Sequence, residues 1–547
     1  MDLGLRLTVA AGIALLPLPF LGLRLADLQI LRHNALETRA AGEFERVSEE
    51  AAPRADILDR AGRMLARSVP TWSCFADKGM IKDPADFAAR LSPALGMSAR
   101  EIEAKVRAAG RFAVLRSGMT AEQAEAVKHA RVDGVGLVPL QQRVYPNGDL
   151  GRGVLGFVGT EGKGLAGAEL TLEKKLRGTP RRFELIRDGA GHSIYKSVSD
   201  DGRTPDPIRL TVDRNVQFLA EEALREAAAA HAFKSGFVAV QDPRDGEILA
   251  MATWPPSPLK NPLVQDAYEP GSTFKIVTAL SALDDNLVRP DETFYGERGR
   301  YEILPGKFIT DHEGEGDMTL SQILEKSSNI GISKVVERVG ASRFYRMARA
   351  FGFGVKTGVA LPGETSGEMK PIAELTKIGL ASSSYGYNLQ VSAVQALGAY
   401  SAIANGGTLW EPKLVLDGVA PVKVRRVASE RAVRQLGDML EGVVDHGTGT
   451  TARIPGYRVA GKTGTAHKVD PLTHKYSPTA YTASFVGYLP VSGPRWTILV
   501  VLNEPKGTYY GGLTAAPIFA QIGKRLLVLE GIAPDRPTDP ALATARR

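Results

Sequence analysis

Cysteine is almost absent: Cys74 stands alone among 547 residues, which excludes an intramolecular disulfide and a multi-cysteine metal centre. Histidine is nearly as sparse, and the eight present form no ligand-spaced pair such as His-x-x-x-His, so no metal is expected. A large charge of one sign is also missing. The 68 basic and 61 acidic residues leave a net +7, too small an excess on a chain of this size for nucleic-acid binding. No internal repeat and no low-complexity block occurs. What remains is a globular composition with enough apolar residues for two or three domains.

Near the N-terminus, Leu7 to Leu23 is uncharged and apolar, bracketed by Arg6 and Arg24. The run is long enough for a short membrane span, and no A-x-A-like cleavage site follows it, so a retained anchor is expected over residues 1–25. Pro17 and Pro19 should kink it, which membrane helices tolerate. Charge alone orients it poorly, because Arg24, Arg32 and Arg39 follow the run and only Arg6 and the amino terminus precede it.

Residues 26–205 mix a charged helical stretch with short strand-like pieces. The polar, turn-rich cluster between Ser197 and Pro207 marks a boundary, and a different domain should occupy 206–530. There Asp213 is placed to cap an Ala- and Glu-rich helix reaching about Ala232. Two apolar runs, Gly236 to Gln241 and Glu247 to Thr253, read as a hairpin whose continuous apolar character predicts central strands with helices on both faces. A helix from about Ser392 to Ala404 and strands near Tyr457, Thr482 and Trp496 complete an α/β sandwich. The Pro- and Ala-rich tail, 531–547, is expected to be disordered.

Three sequences carry chemistry. In Pro270-Gly271-Ser272-Thr273-Phe274-Lys275, a Gly-containing turn opens an apolar helix, so Ser272 and Lys275 share one helix face. A serine hydroxyl is a poor nucleophile until a base takes its proton, and a buried lysine can be that base once its pKa falls towards about 7–8. About one S-x-x-K is expected by chance in such a chain, and there are three. Those at Ser193 and Ser257 lie beside a charged loop and in a Pro-rich stretch, so only the copy at Ser272 has the right context. Ser327-Ser328-Asn329 interrupts an apolar periodic segment. A hydroxyl and an amide there suit proton relay and substrate binding, although Ser and Asn also cap helices. Lys462-Thr463-Gly464-Thr465 reads as an edge strand that offers backbone amides to an extended peptide and cationic and hydroxyl groups to a carboxylate. A second Lys-Thr-Gly, at Lys356, precedes a Gly- and Pro-rich loop and is assigned a structural turn.

S-x-x-K, S-x-N and K-T-G in that order resemble the motif set of penicillin-binding proteins and related β-lactamases. The chain is most similar to a class B penicillin-binding protein of the septal type. Arg143-Val144-Tyr145-Pro146, Gly164 to Glu169, Tyr510-Gly511-Gly512 and Ala516 to Phe519 support the likeness. Arg54-Ala55-Asp56-Ile57-Leu58-Asp59-Arg60-Ala61-Gly62 departs from the family's R-G-x-I-x-D-R-N-G, so partner contacts transfer less safely than chemistry. No glycosyltransferase motif precedes Pro205.

The resemblance implies a penicillin-binding/serine β-lactamase-like fold, a mainly antiparallel sheet flanked by helices. Ahead of it would come a mixed α+β dimerisation or pedestal domain and one transmembrane helix, with the catalytic part outside the cytoplasm. It implies peptidoglycan D,D-transpeptidation through an acyl-enzyme, with no cofactor. Ser272 would be the nucleophile, Lys275 its base, Ser327 a relay, and Asn329 a substrate ligand. Lys462, Thr463, Gly464 and Thr465 would bind the terminal carboxylate, and the N–H groups of Ser272 and Thr465 would form the oxyanion hole. Implied partners are stem peptides on lipid-linked or nascent strands, β-lactams, the membrane, a glycosyltransferase and divisome membrane proteins. Three alternatives stay open: an elongation-type enzyme, a β-lactam sensor or inactive scaffold, and a carboxypeptidase or β-lactamase.

Overall fold

A computed structural model describes residues 2–15, 17–37, 45–50, 52–187, 193–470 and 472–536. The apolar N-terminal stretch is helical over Leu3–Leu15 and Pro17–Ala26 and continues through Asp27–Leu31. It is long and apolar enough to cross a membrane, and none of its described residues is buried. Pro17 opens the second helix, the position where its missing N–H costs least.

The chain forms two compact units that are not consecutive stretches. One comprises residues 1–54, 68–142 and 177–205, and the other 55–67, 143–176 and 206–547. In the first, residues 72–77 pair antiparallel with Phe112–Met119. Helices Pro84–Leu95, Ala99–Ala108 and Ala121–His129 are capped by Asp83, Ser98 and Thr120. Phe87, Leu91, Leu95, Ile102, Val106 and Leu115 form its core around Cys74, whose thiol is pushed up to about 11 by burial. That thiol is a packing group, not a reactive one.

The second unit is built on a five-stranded antiparallel sheet. Its main elements are α1 (Arg214–Ala230), β1 (Ser235–Gln241), β2 (Ile248–Trp254), α2 (Lys275–Asp284), α3 (Asn329–Val339), α4 (Ala393–Ala404), α5 (Glu430–Asp445), β3 (Ala460–Val469), β4 (Tyr476–Leu489), β5 (Trp496–Asn503) and α6 (Gly511–Leu529). The strand order is β2-β1-β5-β4-β3. Alternate residues face opposite sides. Val238, Val240, Phe485, Ile498 and Val500 pack with α1 and α6, whereas Ala239, Val486, Leu499 and Val501 join the core containing α2 to α5. Asp213 caps α1 as its position suggests, accepting from Asn215 N at 2.7 Å. The expected hairpin forms, but β2 is an edge strand and not a central one. Its backbone is satisfied sideways: Gln217 gives and takes a bond with Met251 at 2.9 and 2.8 Å, and Thr211 donates to Ile248 O at 2.7 Å. A covered edge can be as apolar as a central strand.

Segment 55–67 is tied into this unit by Asp59, which is fully buried. Its carboxylate accepts from Arg63 at 2.6 Å, and Arg63 reaches Asp213 at 2.9 Å. The disorder expected from Gly531 does not hold for residues 531–536. Tyr457 donates to Ile532 O at 2.6 Å, and Arg536 pairs with Asp445 at 2.6 Å. Residues 537–547 lie outside the described residues.

Candidate active site

Ser272 sits in a 3-10 turn, Gly271–Phe274, that runs directly into α2. Gly271 has φ +55, a conformation glycine adopts without strain, and its N–H donates to Gly386 O at 3.1 Å. Tyr400 in α4 donates from its buried hydroxyl to Thr273 O at 2.8 Å. The turn is therefore fixed from both ends and presents Ser272 into a cleft of about 920 Å³.

Lys275, in the first turn of α2, is wholly buried. Its amine lies 3.0 Å from Ser272 Oγ, 3.1 Å from Ser327 Oγ and 2.9 Å from Asn329 Oδ1, and it also donates to Ser327 O. Burial draws its pKa down to about 7, with the charge of Asp311 opposing the shift. A free amine at that distance can take the hydroxyl proton.

Ser327 lies between helix Leu320–Glu325 and α3 with φ +59. The capping and chemical readings of this segment are divided among its residues. Ser328 caps α3 by accepting from Gly331 N at 2.8 Å, while Ser327 and Asn329 face Lys275.

Lys462 is also wholly buried, on edge strand β3, and donates to Ser327 Oγ at 3.0 Å and to Thr463 Oγ1 at 3.2 Å. Its pKa falls well below the usual lysine value, through burial first and the neighbouring charge of Lys275 second. Thr463 and Thr465 line the cleft, and Thr465 Oγ1 accepts from Gly511 N at 3.1 Å at the start of α6. Gly464 contributes space instead of a ligand: a Cβ there would stand 3.0 Å from Pro270 O and 2.3 Å from Ser484 Oγ. Thr448, which carries no motif, also lines the cleft and shares a 2.8 Å hydroxyl contact with Thr463. Its one sequence signal is a position between two glycines after α5.

The rival motifs have other settings. Ser257 Oγ accepts from Leu259 N, and Lys260 is drawn to Asp266 at 2.5 Å. Ser193 begins a strand in the other unit. At the earlier Lys-Thr-Gly, Thr357 and Gly358 are bonded to Glu364 in a loop.

Residues 236–524 match the penicillin binding protein transpeptidase domain, and residues 49–210 the penicillin-binding protein dimerisation domain. The chain is 32% identical over 553 residues to peptidoglycan D,D-transpeptidase FtsI of Escherichia coli K12, covering 97% of this chain and 92% of that one. It is 31% identical to stage V sporulation protein D of Bacillus subtilis, covering 93% and 83%. A crystal structure of penicillin binding protein 3 from Mycobacterium tuberculosis complexed with aztreonam is 26% identical. It aligns with a TM-score of 0.68 over 90% of this chain and 100% of that one.

Proposed function

The chain belongs to the class B penicillin-binding proteins and is a serine-type peptidoglycan D,D-transpeptidase, and from that premise we propose that Ser272 is its nucleophile and Lys275 the base. The observation that carries this is the 3.0 Å approach of a fully buried amine to Ser272 Oγ. Ser272 Oγ attacks the penultimate D-Ala carbonyl of a stem peptide while Lys275 takes its proton. The backbone N–H groups of Ser272 and Thr465 hold the oxyanion, a role worth about 3–4 kcal/mol per donor. Collapse breaks the peptide bond, and a proton passed through Ser327 leaves with the terminal D-Ala. An amine of a second stem peptide then attacks the acyl-enzyme, forming the cross-link and freeing Ser272. Asn329 holds the donor peptide, and Lys462, Thr463 and Thr465 bind its carboxylate. A β-lactam acylates the same serine.

Purified chain is treated with a fluorescent penicillin, comparing wild type with Ser272→Ala, Ser257→Ala and Ser193→Ala. Loss of label in Ser272→Ala alone supports the assignment. A wild type that never labels points to an inactive scaffold, and turnover of the drug within seconds points to a hydrolase.

The helix over Leu3–Leu31 anchors the chain in the cell membrane in a single pass, with the transpeptidase unit outside the cytoplasm. There it works at the division septum with a glycosyltransferase and other membrane proteins of the division machinery. Filamentation on depletion supports the septal role. Normal cell length, or a long-lived complex with a shape-determining polymerase, assigns it to the side wall.

A further inference from the structure

Asp311 follows the hairpin of Arg300–Leu304 and Lys307–Thr310, where its backbone N–H donates to Gly299 O at 3.1 Å. From there its carboxylate reaches the head of α3. One oxygen accepts from Asn329 N at 2.5 Å and Ile330 N at 3.1 Å, and the other accepts from the Ser328 hydroxyl. Three consecutive residues after Ser327 are thus bound by one side chain. A carboxylate at a helix N-terminus is favoured by the exposed N–H groups and the helix dipole, yet α3 already has a cap in Ser328.

The added anchor matters because of Ser327. A non-glycine residue in the left-handed region is strained and persists only where its surroundings over-determine it. On its N-terminal side, Ser327 N and Ser328 N donate to Leu324 O and Ile323 O at 3.2 and 2.9 Å. On its C-terminal side the constraint is Asp311. That conformation turns both the carbonyl and the hydroxyl of Ser327 towards Lys275.

Among the described residues, Asp311 and Lys462 are the charged groups coupled to Lys275, while Glu325, Lys326 and His446 line the same cleft. Strand β3 contributes Lys462, the helix ending at Ser384 is followed by the Tyr385 phenol in the cleft wall, and the loop after the hairpin contributes Asp311. Among these the carboxylate is the group whose charge favours an ammonium at Lys275, counter to burial.

We propose that Asp311 is a positioning residue for acylation: it locks Ser327 and Asn329 onto Lys275 and supplies the counter-charge for the ammonium formed when Ser272 gives up its proton. The inference rests on Ser272 as nucleophile and Lys275 as base. The test follows the rate of acylation by a fluorescent penicillin against pH, using full-length chain in detergent, for wild type, Asp311→Asn, Ser328→Ala and Ser272→Ala. Asp311→Asn should acylate roughly tenfold more slowly or worse at its plateau, and its acid limb should move to lower pH because the ammonium has lost its counter-charge. An unchanged rate, or a slower one whose limb has not moved, overturns the proposal. Should Asp311→Asn fail to fold, Ser328→Ala decides: it keeps the charge and removes the bond to Asp311 together with the cap on Gly331 N, so a several-fold slower rate with an unmoved limb is expected, and a wild-type rate or a moved limb overturns the proposal. Ser272→Ala separates the two levels, since labelling of that variant defeats the nucleophile assignment whatever Asp311 does.

Discussion

Lys462 donates to the hydroxyl of Ser327 at 3.0 Å, and Lys275 donates to the same oxygen at 3.1 Å. Two buried amines thus converge on one acceptor, where two full positive charges would repel each other with little solvent to screen them. Burial depresses both lysines, and the charge of Lys275 lowers Lys462 further. The pair therefore gives up a proton far more readily than surface lysines do, which is what a base for serine requires.

The pH dependence of acylation follows. With Lys275 as base, the working form is the free amine. Below its pKa of about 7 the ammonium has no lone pair to offer, so acylation should slow as pH falls through neutrality and level off above it. Lys275→Arg, which keeps the charge but cannot release a proton in water, should not label at any pH. The initial rate of fluorescent-penicillin labelling measures both, and a rate that falls as pH rises through neutrality would remove Lys275 from the role.

Gly464→Ala should damage the site without removing any functional group. The new methyl would meet Ser484 Oγ at 2.3 Å, with Pro270 O and Thr273 Cγ2 each at 3.0 Å, so Ser484 must turn aside and the methyl presses on the turn that carries Ser272. Overpacking of this kind costs about 1–3 kcal/mol, and a displacement near 1 Å can cost on the order of 10²-fold in rate. Thermal unfolding and acylation rate should both fall, and a variant that acylates like wild type would show that the strand approach does not control the chemistry.

The chemistry-bearing types were legible because their spacing survives folding. Ser272 and Lys275 lie one helical turn apart, and Lys462 belongs to a strand whose partner, Tyr481 to Leu489, is evident from its apolar run. What brings them together was not legible. The left-handed backbone of Ser327 falls on a serine, where no glycine announces it, and Asp311 and Thr448 belong to no motif. The sheet was recognisable, but β2 reads as central because side chains such as Gln217 cover its edge. Nor could a linear boundary near Pro205 show that 55–67 and 143–176 fold with the second unit, since that depends on pairs such as Arg63 with Asp213, 150 residues apart.

Tyr400→Phe tests the support beneath the nucleophile. The hydroxyl is buried and donates to Thr273 O at 2.8 Å. Its removal leaves that carbonyl without this donor at almost constant volume, which costs about 1–3 kcal/mol. The unfolding midpoint in urea should drop with an unchanged slope, and acylation should slow modestly. Wild-type stability would show that the Thr273 carbonyl finds another donor.

Arg143 and Glu169 provide a stability test away from the chemistry. They pair at 2.6 Å with side chains 4% and 0% exposed, and Arg143 also donates to Ala55 O at 2.8 Å. The pair thus joins two segments, 143–176 and 55–67, that fold with the transpeptidase unit. Glu169→Ala takes from the buried Arg143 guanidinium the carboxylate at 2.6 Å, so it should cost about 3–5 kcal/mol. Replacing both by apolar residues of similar volume, Arg143→Met with Glu169→Leu, removes both charges and should recover much of that loss. Urea unfolding of the single and double variants measures the difference. If the double variant is as unstable as Glu169→Ala, the hydrogen bond to Ala55 is what holds the segments, and the charge pair is secondary.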